Sequence, residues 1–201
     1  MKRAQQHLRT SDTVMAALIE RFGACTMFDD QALLHKPSFH VLVWAILNQQ
    51  LSVASAASIE QRLLALHRGK YFTLSTLENL SDKQLAGCGL SRQKIRYLRA
   101  LCAAVRSGQL RPGNLWRLDN DKIAEILTTL PGIGPWSIDM FLMFSLARLD
   151  VLPLGDLALR RAIFKHYSVD PLKDIKRLQH ITARWSPYRS IASWYLWCSV
   201  D

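Results

Sequence analysis

Leu130-Pro131-Gly132-Ile133-Gly134-Pro135-Trp136-Ser137, followed after a mostly apolar stretch by Leu152-Pro153-Leu154-Gly155-Asp156, is the part of the chain that decides its architecture. Thr128-Thr129-Leu130 ends one helical pattern, Pro131 to Gly134 turns, and Pro135 opens the next helix. Proline suits that first position, because its φ is preset and its missing N–H would have had no intrahelical partner. Glycine at 132 and 134 allows positive φ and close approach of another backbone. The amides of this turn and of the following first helical turn converge on the helix's positive end, a setting that suits a phosphate oxygen. The turn holds no lysine and nothing that reads a base edge, so it would position a nucleic-acid backbone without specifying sequence. A glycine-packed helix–helix turn is the plain alternative, which Pro-Gly alone would favour. The full run from Leu130 to Trp136 favours the phosphate.

Helical periodicity continues on both sides. Val14, Ala17, Leu18 and Phe22 make one amphipathic face, and 39–47 and 54–66 form a pair joined at Asn48-Gln49-Gln50-Leu51-Ser52. Further helical patterns run at about 82–87, 91–107, 121–129, 135–147, 157–166, 173–184 and 188–199, punctuated by glycine and proline. Hairpin dipeptides flanked by alternating hydrophobics are absent. The expected fold class is all-α, with roughly ten helices and short connections.

Lys and Arg number 26 against 16 Asp and Glu, a formal net charge of +10, so a polyanionic partner is expected. No apolar run reaches membrane-spanning length, so no membrane partner is expected. The first residues, MKRAQQHLRTSD, are basic but lack the apolar stretch of a signal peptide. A cytoplasmic, nucleoid-associated location is expected, or a nuclear one in a eukaryote. Cys25, Cys88, Cys102 and Cys198 have no C-x-x-C spacing, which argues against zinc or an iron–sulfur cluster and for free thiols.

Asp156 follows Gly155 and precedes the helical pattern Leu157-Ala158-Leu159-Arg160-Arg161. The helix dipole stabilises a carboxylate there as the anion. Taken alone, such an aspartate caps a helix. A persistent anion also stabilises positive charge that develops beside it in a transition state.

The run Leu130 to Trp136, with the Gly/Pro-rich loop and Asp156 beyond it, resembles the helix-hairpin-helix superfamily of DNA glycosylases, the HhH-GPD family. The likeness covers roughly residues 36–198. It implies two helical lobes with the active site in the cleft between them. One lobe would be about 36–110 plus the termini and the hairpin-bearing lobe about 111–184, without the N-terminal β domain of the long bacterial enzymes. It assigns catalysis to Asp156. Relatives that also cut the strand carry a lysine at the position of Trp136, so the tryptophan implies a monofunctional enzyme that leaves an abasic site. An aromatic face there suits a flipped, positively charged alkylated purine such as 3-methyladenine or 7-methylguanine. The rest of the pocket would be Phe39, Met140, Leu157 and Trp197, with Met140 and Leu157 standing where the long bacterial enzyme has tyrosines. Asp139 reads as structural or second in line behind the pocket.

DNA contacts are expected from Gly132, Ile133, Gly134 and Ser137 at the hairpin and from Lys94 in Gly89-Leu90-Ser91-x-x-Lys94. Gln49, Gln50, Leu51 and Ser52 resemble the family's segment that fills the gap left by the flipped nucleotide, with either Gln50 or Leu51 as the wedge. The resemblance also implies a structural monovalent cation, Na+ or K+, on the backbone carbonyls of Thr128, Leu130 and Ile133, and no required cofactor. The expected partner is double-stranded DNA containing alkylated bases, bound by a monomer. A related glycosylase for another lesion (1-methyladenine, oxidised guanine) and a non-catalytic hairpin DNA-binding protein are the alternatives, and Asp156 separates the second from the first.

Overall fold

Apolar residues on every face of one segment, Val41, Leu42, Val43, Ile46 and Leu47, put that segment in the middle of a core, and a helix that is apolar all round has nowhere else to go. In the computed structural model, which describes residues 1–28, 36–67 and 69–200, it is the helix Ser38–Asn48. All regular elements among the described residues are helical. They are α1 (Lys2–Ser11), α2 (Thr13–Phe22), α3 (Ser38–Asn48), α4 (Val53–His67), α5 (Leu74–Glu78), α6 (Asp82–Gly87), α7 (Arg92–Arg106), a 3-10 turn at Pro112–Arg117, α8 (Asn120–Thr128), α9 (Pro135–Phe144), α10 (Leu157–Tyr167), α11 (Ile175–Ala183) and α12 (Arg189–Cys198). None of them is long and apolar enough to cross a membrane.

Side chains fix several helix starts. Asp12, Thr73, Ser81, Ser91, Asp119 and Asp156 each accept an N–H from the turn they precede. Each such cap stabilises its helix by about 1 kcal/mol.

The chain divides into two compact units, His35–Phe141 and Met1–Leu34 with Leu142–Asp201. The division expected from sequence, with a break near residue 111, runs through the first of these. A physical reason lies at Gln49, whose amide donates to the Gly132 carbonyl at 2.6 Å and to Ser137 Oγ at 3.0 Å. The hairpin is thereby bonded to the end of α3. In the same unit α7 turns Ile95, Leu98, Leu101 and Cys102 inward while Arg92 and Arg96 stay exposed.

The second unit is organised around Asp12, only 4% exposed. Its carboxylate accepts from the Val14 and Met15 amides, the Tyr167 hydroxyl and the Trp185 indole, and pairs with Arg184 at 3.3 Å. The Tyr195 hydroxyl, buried in the same unit, is held between the Gln5 side chain and the Gly23 carbonyl.

Candidate active site and nucleic-acid interface

The hairpin is built as its sequence implies, but its two glycines do different work. Gly132 has φ +84°, and a Cβ there would sit 2.2 Å from the ring of Tyr97 on α7. The close approach is by a side chain, not by the second backbone expected from sequence. Gly134 has an ordinary φ, and nothing lies within 4 Å of where its Cβ would be. It leaves open space beside the start of α9, where a helix directs unbonded N–H groups outward.

Several predicted DNA contacts face inward. The Ile133 side chain is buried and its amide donates to the Leu130 carbonyl at 3.1 Å. Ser137 is 2% exposed and its hydroxyl accepts from Gln49. The Lys94 ammonium donates to the carbonyl of Leu47, at the end of α3, and burial holds its pKa below the usual lysine value. Gln49, Ser137 and Lys94 thus brace the hairpin and the corner after α3 with their polar ends. Polarity marked these residues in the sequence, but it does not say which way a side chain points.

That corner presents Gln50 and Leu51. Both are exposed, and Gln50 takes φ +56°, a left-handed conformation uncommon for a residue with a Cβ. Ser52 accepts from the Ser55 amide at 3.2 Å and so opens α4. Of the arginines on α7, Arg99 is committed to the Leu77 and Leu80 carbonyls and to Asp82. Arg92 and Arg96 line a hollow with Asp82, Ala86 and Ile95 that holds none of the predicted site residues.

On α9, Trp136 is half-buried and Met140 is in the core, 4% exposed. Phe39, on α3, is likewise core at 8%. Asp139, one turn beyond Trp136, is the titratable group that the sequence placed behind the pocket. Burial raises its pKa from 3.8 to about 7.

The other predicted group lies in the second unit. Asp156 is the N-cap of α10: its Oδ1 accepts from the Leu159 amide at 2.8 Å and from the Trp197 indole N–H at 3.0 Å. Trp197, expected at the pocket edge, therefore orients the carboxylate, and its ring stacks on Phe144 at 6.2 Å. Leu157 follows, 54% exposed. The loop that delivers Asp156 is pinned to the start of α12. Arg189 grips Asp150 with two bonds of 2.7 and 2.8 Å, and the Ser190 hydroxyl bonds the Arg148 carbonyl and the Val151 amide. The Arg189 guanidinium holds the Asp150 carboxyl below the usual carboxylate range. Sequence carried no sign of these supports, since their partners lie about forty residues away.

Among the described residues, no cluster of three or more His, Cys, Asp or Glu side chains is placed to hold a metal ion. The end of α8 is a different kind of donor set. The carbonyls of Thr128, Leu130 and Ile133 are neutral oxygens at or just past a helix C-terminus, where partial charge is negative. Leu130 already accepts the Ile133 N–H and retains one lone pair. Neutral oxygens of this kind fit a hard monovalent ion.

The chain that carries this oriented carboxylate and this open glycine turn is similar to known proteins. The "DNA-3-methyladenine glycosylase 1" of Schizosaccharomyces pombe is 28% identical over 199 residues, covering 98% of this chain and 86% of that protein. The "alkylbase DNA glycosidase-like protein mag2" of the same yeast is 26% identical, covering 98% and 92%. A solved S. pombe 3-methyladenine DNA glycosylase in complex with abasic DNA superposes with a TM-score of 0.87 at 29% identity, over 97% of this chain and 95% of that one. Residues 43–187 match the HhH-GPD superfamily of base excision DNA repair proteins, and the chain belongs to that family.

Proposed function

We propose that this chain is a monofunctional DNA glycosylase that takes 3-methyladenine and 7-methylguanine out of duplex DNA and hydrolyses their N-glycosidic bonds, leaving abasic sites. The observation that carries the reading is Asp156, held at the head of α10 by the Leu159 amide and the Trp197 indole. A fixed carboxylate stabilises the positive charge that develops on the sugar as the bond to the base breaks. Alkylation has already made the purine a good leaving group, because it departs neutral, carrying the bonding electrons. Water then adds to C1′ and gives up a proton. Trp136 stands where strand-cutting relatives would place an amine, and an indole forms no Schiff base with the sugar, so the backbone stays intact.

The hairpin would take a DNA phosphate at the open side of Gly134, and the exposed Gln50-Leu51 corner would fill the gap left by the extruded nucleotide. Trp136 would stack on the base, where a cation gains from an aromatic face. A monovalent cation on the Thr128, Leu130 and Ile133 carbonyls would steady the turn and neutralise charge near the phosphate. The names of the yeast relatives support the choice of substrate.

The test is base release from methylated duplex DNA by wild type and by Asp156→Asn. Wild type should free 3-methyladenine and leave alkali-labile sites without nicks, while the variant should bind DNA and release little. Release by the variant at the wild-type rate would remove Asp156 from the chemistry. Nicking by wild type would overturn the monofunctional assignment.

A further inference from the structure

Charge bookkeeping in the interior singles out one side chain. Seven acidic residues among those described are less than fully exposed: Asp12, Glu60, Glu78, Asp139, Asp150, Asp156 and Asp170. Six of them have a partner. Asp12 has Arg184, Tyr167 and Trp185; Glu60 has Lys36 and His40; Glu78 has Arg106; Asp150 has Arg189; Asp156 has Trp197; Asp170 has the Leu172 amide and Lys173. Asp139 has no hydrogen bond and no ion pair among the described residues. A desolvated carboxyl without a partner is costly and is kept where something else supplies the partner. Desolvation alone raises its pKa to about 7, with no neighbouring charge contributing.

Position says what that partner is. Asp139 lies three residues after Trp136 on α9, so the two side chains share one face of the helix, about one turn apart. The face therefore offers an aromatic surface and, beside it, an acid that lacks a cation. Both features favour a ligand with positive charge delocalised over a flat ring.

We propose that Asp139 is a specificity-determining residue that, together with Trp136, selects cationic bases over neutral ones of the same shape. This rests on the glycosylase reading and deepens it. An N-alkylated purine still joined to its sugar carries the missing positive charge, whereas hypoxanthine, ethenoadenine and undamaged purines do not. A neutral purine could also stack on Trp136, without the gain a cation has there, and would leave Asp139 uncompensated. The acid thus discriminates by charge, without reading any particular edge of the base.

The experiment separates recognition from chemistry. Duplexes carrying 2′-fluoro-7-methylguanosine, a cation whose glycosidic bond is stabilised against cleavage, are compared with the same duplexes carrying neutral 2′-fluoroguanosine. The ratio of the two affinities is measured for wild type and Asp139→Asn. Wild type should prefer the cationic duplex by about tenfold, equivalent to about 1.4 kcal/mol, and the variant, which keeps Trp136, should lose most of that preference while binding the neutral duplex as before. A structural role alone would weaken both duplexes together. An unchanged ratio in the variant, a parallel loss of both affinities, or no cation preference in wild type would each overturn the proposal. Release of 3-methyladenine by the same preparations judges the glycosylase reading by itself. Release with an unchanged ratio removes Asp139 alone; no release removes the enzyme reading and leaves the ratio to judge Asp139.

Discussion

Gly132→Ala is the sharpest perturbation of the hairpin, because two independent costs meet at one atom. The native φ of +84° is one that an L-residue adopts at a cost of roughly 1–2 kcal/mol. The new methyl would also lie 2.2 Å from Cγ and Cδ2 of Tyr97, so the ring must shift. Overpacking of that kind costs about 1–3 kcal/mol. We expect a total loss of about 3 kcal/mol, read as a lower urea midpoint with an unchanged slope. Repeating the substitution in a Tyr97→Ala background should relieve the steric part and leave the backbone part, giving a coupling of about 1–3 kcal/mol. Gly134→Ala is the control: with ordinary φ and open space, it should stay within about 0.5 kcal/mol of wild type. If Gly132→Ala matched wild-type stability, or if Gly134→Ala cost as much, the division of labour between the two glycines would be refuted.

Three further outcomes follow from the supports of the site. Trp197→Phe keeps a ring against Phe144 but removes the indole donor to Asp156; bonds to charged groups are worth about 1.5–3 kcal/mol, so single-turnover base release should fall about tenfold or more with DNA affinity intact, and a rate within twofold of wild type would count against the orienting role. Asp139→Asn should alter the pH dependence of stability. The folded protein holds a proton on Asp139 that the unfolded chain has released above 3.8, so wild type loses stability as pH rises from about 4 to about 7 and then levels off. The full shift corresponds to about 4 kcal/mol, and solvent screening at this half-buried position reduces that to about 2. The variant should therefore gain about 2 kcal/mol on wild type between pH 4 and pH 8 in urea titrations; an equal gap at both values would contradict the raised pKa. Asp12→Ala removes a helix cap and leaves Tyr167, Trp185 and Arg184 without their shared acceptor, so a loss of about 3–5 kcal/mol is expected; a loss below about 1 kcal/mol in the urea midpoint would show that the second unit is held elsewhere.

Much of the helical layout was legible because burial imposes a period on the sequence. The pattern at 82–87 coincides with α6, and those at 91–107, 121–129 and 157–166 fall within a residue of α7, α8 and α10. The helix Lys2–Ser11 was not legible: only Ala4 and Leu8 of its residues are buried, too few to set a period. Leu74–Glu78, with five residues, is too short to show one. Around the candidate site, the turn at Gly132 and the helix cap at Asp156 were legible, because positive φ favours glycine and an N-cap favours a short polar side chain. The hydrogen bonds that Lys94, Gln49 and Ser137 make were not legible, because a polar group suits a phosphate and a carbonyl equally well, and only the fold decides which it meets. The bond from Trp197 to Asp156 was equally hidden, since it spans 41 positions of chain.

A helix-hairpin-helix is easily regarded as a portable cassette. The bonds from Gln49 make this one the property of a larger piece of protein. Its turn is clasped by a side chain 83 positions earlier in sequence, on the residue immediately before Gln50 and Leu51. Residues 120–144 transplanted alone would lack that clasp and the Tyr97 ring that fits against Gly132. Turn, clasp and ring all lie within the unit His35–Phe141, and in it the turn and the Gln50-Leu51 corner are joined: a change that loosens one is transmitted to the other through a single amide.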